Sequence, residues 1–166
     1  MRNIFSLAIE LEKEGLITYL RFGYQIENIA AKNLFIRLAM DEFEHMKILE
    51  EELAHFKKEV KLKRIKLPKT EIEKATANLK PILPKEKKEA DINELNALQV
   101  ALNLEKRAID FYSEQEKKSK DEIAQRIWKR LREIEESHYQ LIQAEIDSLT
   151  KTGFWFDFRE FSLETE

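Results

Sequence analysis

Met40-Asp41-Glu42-Phe43-Glu44-His45-Met46 decides how this chain is read, together with an echo, Glu133-Ile134-Glu135-Glu136-Ser137-His138-Tyr139. Each contains Glu-x-x-His. On a helix, residues three apart are neighbours on one face, so a carboxylate and an imidazole can reach the same ion. The motif alone says little. Glu accounts for 26 of 166 residues, so a Glu three places before a given His is expected roughly one time in six. All three histidines have one, including Glu52-Leu53-Ala54-His55. Register separates them: thirty residues before Glu42 stands Glu12, thirty before Glu135 stands Glu105, and thirty before Glu52 stands Phe22.

The surroundings repeat as well. Ala8-Ile9-Glu10-Leu11-Glu12-Lys13-Glu14-Gly15 parallels Ala101-Leu102-Asn103-Leu104-Glu105-Lys106-Arg107-Ala108, and Tyr19 and Tyr112 each follow their Glu by seven. The offset throughout is 93 residues. Two copies of one helical hairpin are implied, each supplying Glu plus Glu-x-x-His. In an antiparallel hairpin, residues at one height average to the turn. The midpoint of Glu12 and Glu42 is residue 27, beside Asn28, a natural N-cap. The midpoint of Glu105 and Glu135 is residue 120, inside Ser119-Lys120-Asp121-Glu122, whose Ser-x-x-Glu reads as a capping box. Both ligand sets then lie about fifteen residues, roughly 22 Å, from their turn.

The expected fold is all-α: a four-helix bundle of two repeated hairpins joined by a long crossover linker. Hairpin one covers 3–58, the linker 59–90, hairpin two 91–149, and an aromatic tail follows from 151 to 166. Ile4, Ala8, Leu11, Gly15, Tyr19, Phe22 and Ile26 mark the buried stripe of the first helix, and Glu12 lies on it. A charge there costs several kcal/mol unless a partner offsets it. The linker opens with an alternating stretch, Val60 to Pro68. Thr70-Glu71-Ile72-Glu73 could then cap a short helix, and Pro84 with Lys85 to Glu89 reads as exposed. A linker of this length leaves open which end of the bundle the third helix starts from, and permits hairpin exchange between two subunits. The tail, Phe154 to Phe161, should pack over the bundle or on a second subunit.

Composition agrees. Charged residues are 37% of the chain, and Gly and Pro number three each, a profile of long solvated helices. Much Lys and Glu with no Cys also fits a thermophile. Net charge is −3 with the lysines dispersed, so no nucleic-acid footprint is present. Without Cys there is no disulfide, no thiolate metal site and no thiol nucleophile. No signal-peptide pattern and no run of eighteen apolar residues occurs, so no membrane partner is expected and the cytoplasm is the expected compartment.

Four carboxylates and two imidazoles suit a pair of iron or manganese ions. Glu42 and Glu135 are the expected bridges, Glu12 and Glu105 the terminal ligands, and His45 and His138 cap one ion each. The bland alternative, surface ion pairing, explains single glutamates but not matched copies. His55 lacks a repeat mate and points away from the site. Tyr19 and Tyr112 are core tyrosines or donate to a ligand carboxylate or bound peroxide. Asp41 could hold a histidine's second nitrogen from across the bundle; its repeat mate is Ile134, so the two metal environments would differ. Gly15 and Ala108 keep side chains off the site, or simply pack helices.

Ala8-x-x-x-Glu12-Lys-Glu-Gly15-x-x-x-Tyr19, Asp41-Glu-Phe-Glu-His45, Leu104 to Tyr112 and Glu135-Glu-Ser-His138 together resemble the rubrerythrin-like branch of the ferritin-like superfamily, over about 3–58 and 91–149. The resemblance implies a dimeric non-haem di-iron oxidoreductase that reacts with hydrogen peroxide or dioxygen. Mn or Zn would be substitutes for iron. Rubrerythrins proper carry a Cys-rich rubredoxin domain; this chain has no Cys, so a separate redox protein must supply electrons. They also carry a Glu one turn beyond the third-helix ligand, where Ala108 stands here, so that ligand switch does not carry over. Two rival readings stay open: a ferroxidase that handles iron, and a helical interaction module with a structural metal.

Overall fold

A computed structural model describes residues 2–57, 69–70, 72–73 and 92–155. Asn28 opens the second helix as expected, its side-chain oxygen accepting from the backbone N–H of Ala30 at 2.9 Å and of Ala31 at 3.3 Å. The chain before it is α1, Arg2–Gln25, and after it α2, Ile29–Lys57. The second hairpin is α3, Ile92–Lys118, and α4, Glu122–Thr152. Its turn falls where the midpoint rule puts it, but the cap is a different residue. Asp121, with extended backbone, accepts from Ile123 and Ala124 N–H, both at 2.9 Å. Ser119 is not the cap; its hydroxyl accepts from the Trp128 indole N–H at 3.1 Å. The nearer Asp satisfies the free amides and leaves the hydroxyl to a buried donor. Gly153 ends α4 at φ 75°, a left-handed cap open to glycine, and its N–H reaches the Leu149 carbonyl.

α1 packs on α2 and α3 on α4, and the pairs meet around a core divided in two. One cluster holds Tyr19, Leu34, Phe35, Leu38, Leu98, Ala101, Leu141 and Ile142. It joins the C-terminal half of α1, the start of α2, the start of α3 and the end of α4. The other holds Phe5, Leu49, Tyr112, Ile127, Trp128 and Leu131, from the opposite ends of the same helices. The hairpins therefore lie head to tail, and the crossover leaves α2 at one end and enters α3 at the other. This settles which end the third helix starts from. Between the clusters lies a belt of buried charge.

The stripes are close to those read from periodicity, with one rotation. On α1 Phe5 is fully buried along with Ala8 and Tyr19, while Ile4, Leu11 and Phe22 are half-buried. Phe5 lies 4.7 Å from Trp128, ring centre to ring centre, and an aromatic pair at that depth outweighs the aliphatic beside it. In the linker, the capping box at Thr70 is present: Thr70 N–H donates to Glu73 at 2.8 Å, and Glu73 N–H to the Thr70 hydroxyl at 3.2 Å. Ile72 is buried in the core, and Glu73 takes both guanidinium nitrogens of Arg130 on α4, which pins this turn to the second hairpin. The expectations for Val60–Pro68 and Lys85–Glu89 lie outside the described residues. So do the tail from Phe156 on and the His55 side chain. Trp155 packs edge-on to Phe35 at 6.5 Å and donates its N–H to Glu94 at 2.5 Å.

Candidate metal centre

All six predicted ligands meet in the belt. Glu12 (α1), Glu42 and His45 (α2), Glu105 (α3), and Glu135 and His138 (α4) are each at most 4% exposed. They form two overlapping sets. Glu12, Glu42, His45 and Glu135 have one ligand atom apiece within 4.8 Å of each other, and so do Glu42, Glu105, Glu135 and His138. Glu42 and Glu135 belong to both.

The shared carboxylates divide their oxygens. Glu135 Oε1 lies 3.1 Å from His45 Nδ1, and its Oε2 lies 3.2 Å from His138 Nδ1. Glu42 Oε2 is 3.8 Å from His45 Nδ1, and its Oε1 is 3.7 Å from His138 Nδ1. Both rings thus face the cluster with Nδ1, stacked at 5.9 Å and 15° from parallel. Glu12 Oε2 is 3.0 Å from His45 Nδ1, and Glu105 Oε2 is 3.6 Å from His138 Nδ1.

The tyrosines reach across, a connection the spacing could not show. Tyr112 of the second hairpin donates to Glu12 Oε1, and Tyr19 of the first donates to Glu105 Oε1. Each terminal carboxylate therefore has one oxygen held by a hydroxyl and the other aimed at a histidine. Behind Tyr112, Trp128 stacks at 5.9 Å and 15°. Sequence reading missed Trp128; a lone Trp carries no period, and only its repeat position opposite Phe35 hinted at it. Asp41 does hold a histidine from across the bundle: its Oδ2 is 3.1 Å from His138 Nε2.

Gly15 serves a close approach. A Cβ there would sit 3.2 Å from Glu42 Cδ and 3.3 Å from Cγ. With Ala108 and the leucines Leu11 and Leu104, it lines a cavity of about 10 Å³ against Glu42, the size of a single water. Glu52 and Glu145, 93 residues apart, are also fully buried, one in each half of the core, and belong to neither ligand set.

Packing these charges together moves their protonation. Burial drives the Glu42 carboxyl well up, and Glu135 and Glu12 push it further. Burial, then Glu135, pushes Glu105 up to about 8. Burial opposes ionisation of Glu135 too, but the imidazoles of His138 and His45 outweigh it and hold that carboxyl well below the usual range. Burial disfavours the charged imidazoles, yet Glu12 beside His45 and Glu105 and Glu135 beside His138 raise both. Burial, and then the adjacent carboxylates, raise both tyrosines. Both Glu135 oxygens and His138 Nδ1 have no hydrogen-bond partner among the described residues although fully buried. Such atoms cost about 1–3 kcal/mol each when unmet. A pair of divalent cations between them meets every one and neutralises four carboxylates, so this donor set fits two ions.

No curated protein matches the chain. Among solved structures, a hypothetical protein from Pyrococcus furiosus superposes with a TM-score of 0.66 at 22% identity, covering 90% of this chain and 89% of its own. That likeness speaks for the fold. No described helix is long and apolar enough to cross a membrane. Residues 3–146 match the sequence model of the Rubrerythrin family, a span that takes in both hairpins and all six converging side chains, and the chain therefore belongs to the rubrerythrin family of the ferritin-like superfamily.

Proposed function

We propose that the protein is a non-haem di-iron oxidoreductase that reduces hydrogen peroxide or dioxygen with electrons from a separate donor protein. The observation that carries this is the pair of buried four-residue sets sharing Glu42 and Glu135. Glu12 and His45 would hold one ion and Glu105 and His138 the other, with Glu42 and Glu135 available to both. Bound iron would supply Lewis acidity and two reducing equivalents.

The protein's own groups do the rest. Tyr112 and Tyr19 fix the outward oxygens of Glu12 and Glu105, so the inward oxygens cannot rotate away. The two apolar clusters close both ends of the belt against water. Gly15 and Ala108 leave room beside Glu42 for a molecule of very few atoms. A space of that size suits a small oxidant better than an organic substrate. The carboxyls of Glu42 and Glu105, whose burial favours the protonated form, release protons as cations bind. With no cysteine in the chain, no thiolate iron site is available here as the immediate donor.

The test is stopped-flow mixing of anaerobically loaded ferrous protein with peroxide. Ferric absorption growing faster than for ferrous ion in buffer, and reversed by a reductant, is the expected result. Ferric ion accumulating as a mineral inside a large assembly would assign the site to iron storage instead. No oxidation above the buffer rate would make the metal structural.

A further inference from the structure

The repeat sets equivalent residues in equivalent roles: Glu12 with Glu105, Glu42 with Glu135, His45 with His138, and Tyr19 with Tyr112. One pair breaks the symmetry beside the histidines. Asp41 accepts from His138 Nε2 at 3.1 Å. Its mate Ile134 is 1% exposed and has nothing to offer His45. His45 Nε2 is buried and has no hydrogen-bond partner among the described residues.

Both rings turn Nδ1 inward, so a bound ion leaves the proton on Nε2 in each. For His138 that N–H is donated to a carboxylate. The bond fixes the ring's orientation and makes Nδ1 a stronger donor. For His45 the same N–H is desolvated and has no acceptor among the described residues, so no hydrogen bond there fixes the ring from behind. The tyrosine bonds are alike in the two halves and do not offset this.

We infer that the two halves of the centre are unequal: the Glu42–Glu105–Glu135–His138 half binds the first ion, Asp41 is the positioning residue responsible, and the protein has a defined singly loaded state with the Glu12–His45 half filled last. This rests on the dinuclear reading above. Losing a hydrogen-bond partner behind a metal-bound histidine typically lowers metal affinity about 10–100-fold, so the two steps should differ by at least about tenfold.

The experiment is an anaerobic titration of the metal-free protein with Co(II), followed by visible absorption and calorimetry. Two steps are expected. His138→Ala should remove the tight step, and His45→Ala the weak one. Asp41→Asn should weaken the tight step by about 10–100-fold, leave the weak step nearly in place, and bring the two together. Ile134→Asp, which gives His45 the missing acceptor, should tighten the weak step. Should that variant not fold, the response of Asp41→Asn in a His45→Ala background decides the matter, because only the tight step remains there. Two steps of equal affinity, loss of the tight step in His45→Ala, or equal weakening of both steps in Asp41→Asn would overturn the inference and leave the dinuclear reading standing. Fewer than two ions per chain in the unaltered protein would remove both.

Discussion

Gly15→Ala separates folding from metal binding. Glycine in the middle of α1 costs roughly 1 kcal/mol of helix stability relative to alanine. The added methyl would meet Glu42 Cδ at 3.2 Å, Cγ at 3.3 Å and Oε2 at 3.4 Å. These are closer than ordinary contacts by a few tenths of an ångström. Crowding of this kind typically costs about 1–3 kcal/mol where the neighbour cannot yield. Here the neighbour is a side chain, and in the metal-free protein it can shift. Helix gain and crowding then nearly cancel, and the melting temperature should stay within about 3 °C, given about 2–4 °C per kcal/mol at this size. With ions bound, Glu42 would offer an oxygen to each of two sites and could no longer move freely. Both Co(II) steps should therefore weaken, by about tenfold, because the shared ligand is the one displaced. Differential scanning calorimetry with chelator, beside a cobalt titration, reads both quantities. Unchanged affinity in either step would refute the placement of Glu42 between the ions. A metal-free protein destabilised by more than about 3 kcal/mol would refute the claim that the belt has slack when empty of cations. The repeat position, Ala108, already carries its methyl and serves as the built-in control.

Three further outcomes are expected. In chelator, the metal-free protein should melt at progressively lower temperature from pH 5 to pH 8. Glu105 moves from an ordinary 4.5 to about 8, so its contribution is full below 4.5 and gone by about 8; Glu42 acts in the same direction, and the raised histidines add a loss above 6.5. Glu135 works the opposite way, but only below 4.5. Melting curves at half-unit intervals check this, and a flat or rising curve contradicts it. Tyr112→Phe should leave a buried Glu12 oxygen unmet and destabilise the metal-free protein by about 1–3 kcal/mol, an effect largely lost when Glu12 is already Leu; a double-mutant cycle in urea measures it. Asp121→Ala should cost about 1 kcal/mol of unfolding free energy in urea, since Asp121 accepts from two free amides at the start of α4, and an unchanged midpoint would contradict its role as the cap.

Much of the centre was legible because it is duplicated. The offset of 93 residues singles out six side chains that the structure brings together, and the rule that paired heights average to the turn puts the turns near residues 27 and 120, where the chain does reverse. Periodicity resolved the stripes only to within one residue. It chose Ile4 over Phe5 because both are apolar and only the partner, Trp128, tells them apart. Ser-x-x-Glu and an adjacent Asp make equally good local patterns for the α4 cap, and the donor that claims the Ser119 hydroxyl is nine residues away. The crossed bonds of Tyr19 and Tyr112 were out of reach for a different reason. Spacing places a residue on a face of its own helix, while the partner depends on how the hairpins meet. Asp41 was legible because its mate is so unlike it: the Asp–Ile contrast at an otherwise faithful repeat marked an asymmetry, and the bond to His138 is where it falls.

The most direct test of the whole account is crystallographic. Protein produced anaerobically with excess iron should show two anomalous peaks at the iron edge, about 3.5–4 Å apart. Both should contact Glu42 and Glu135, one should be capped by His45 and the other by His138. Iron bound at exposed carboxylates instead, or a single peak in the belt, would contradict it.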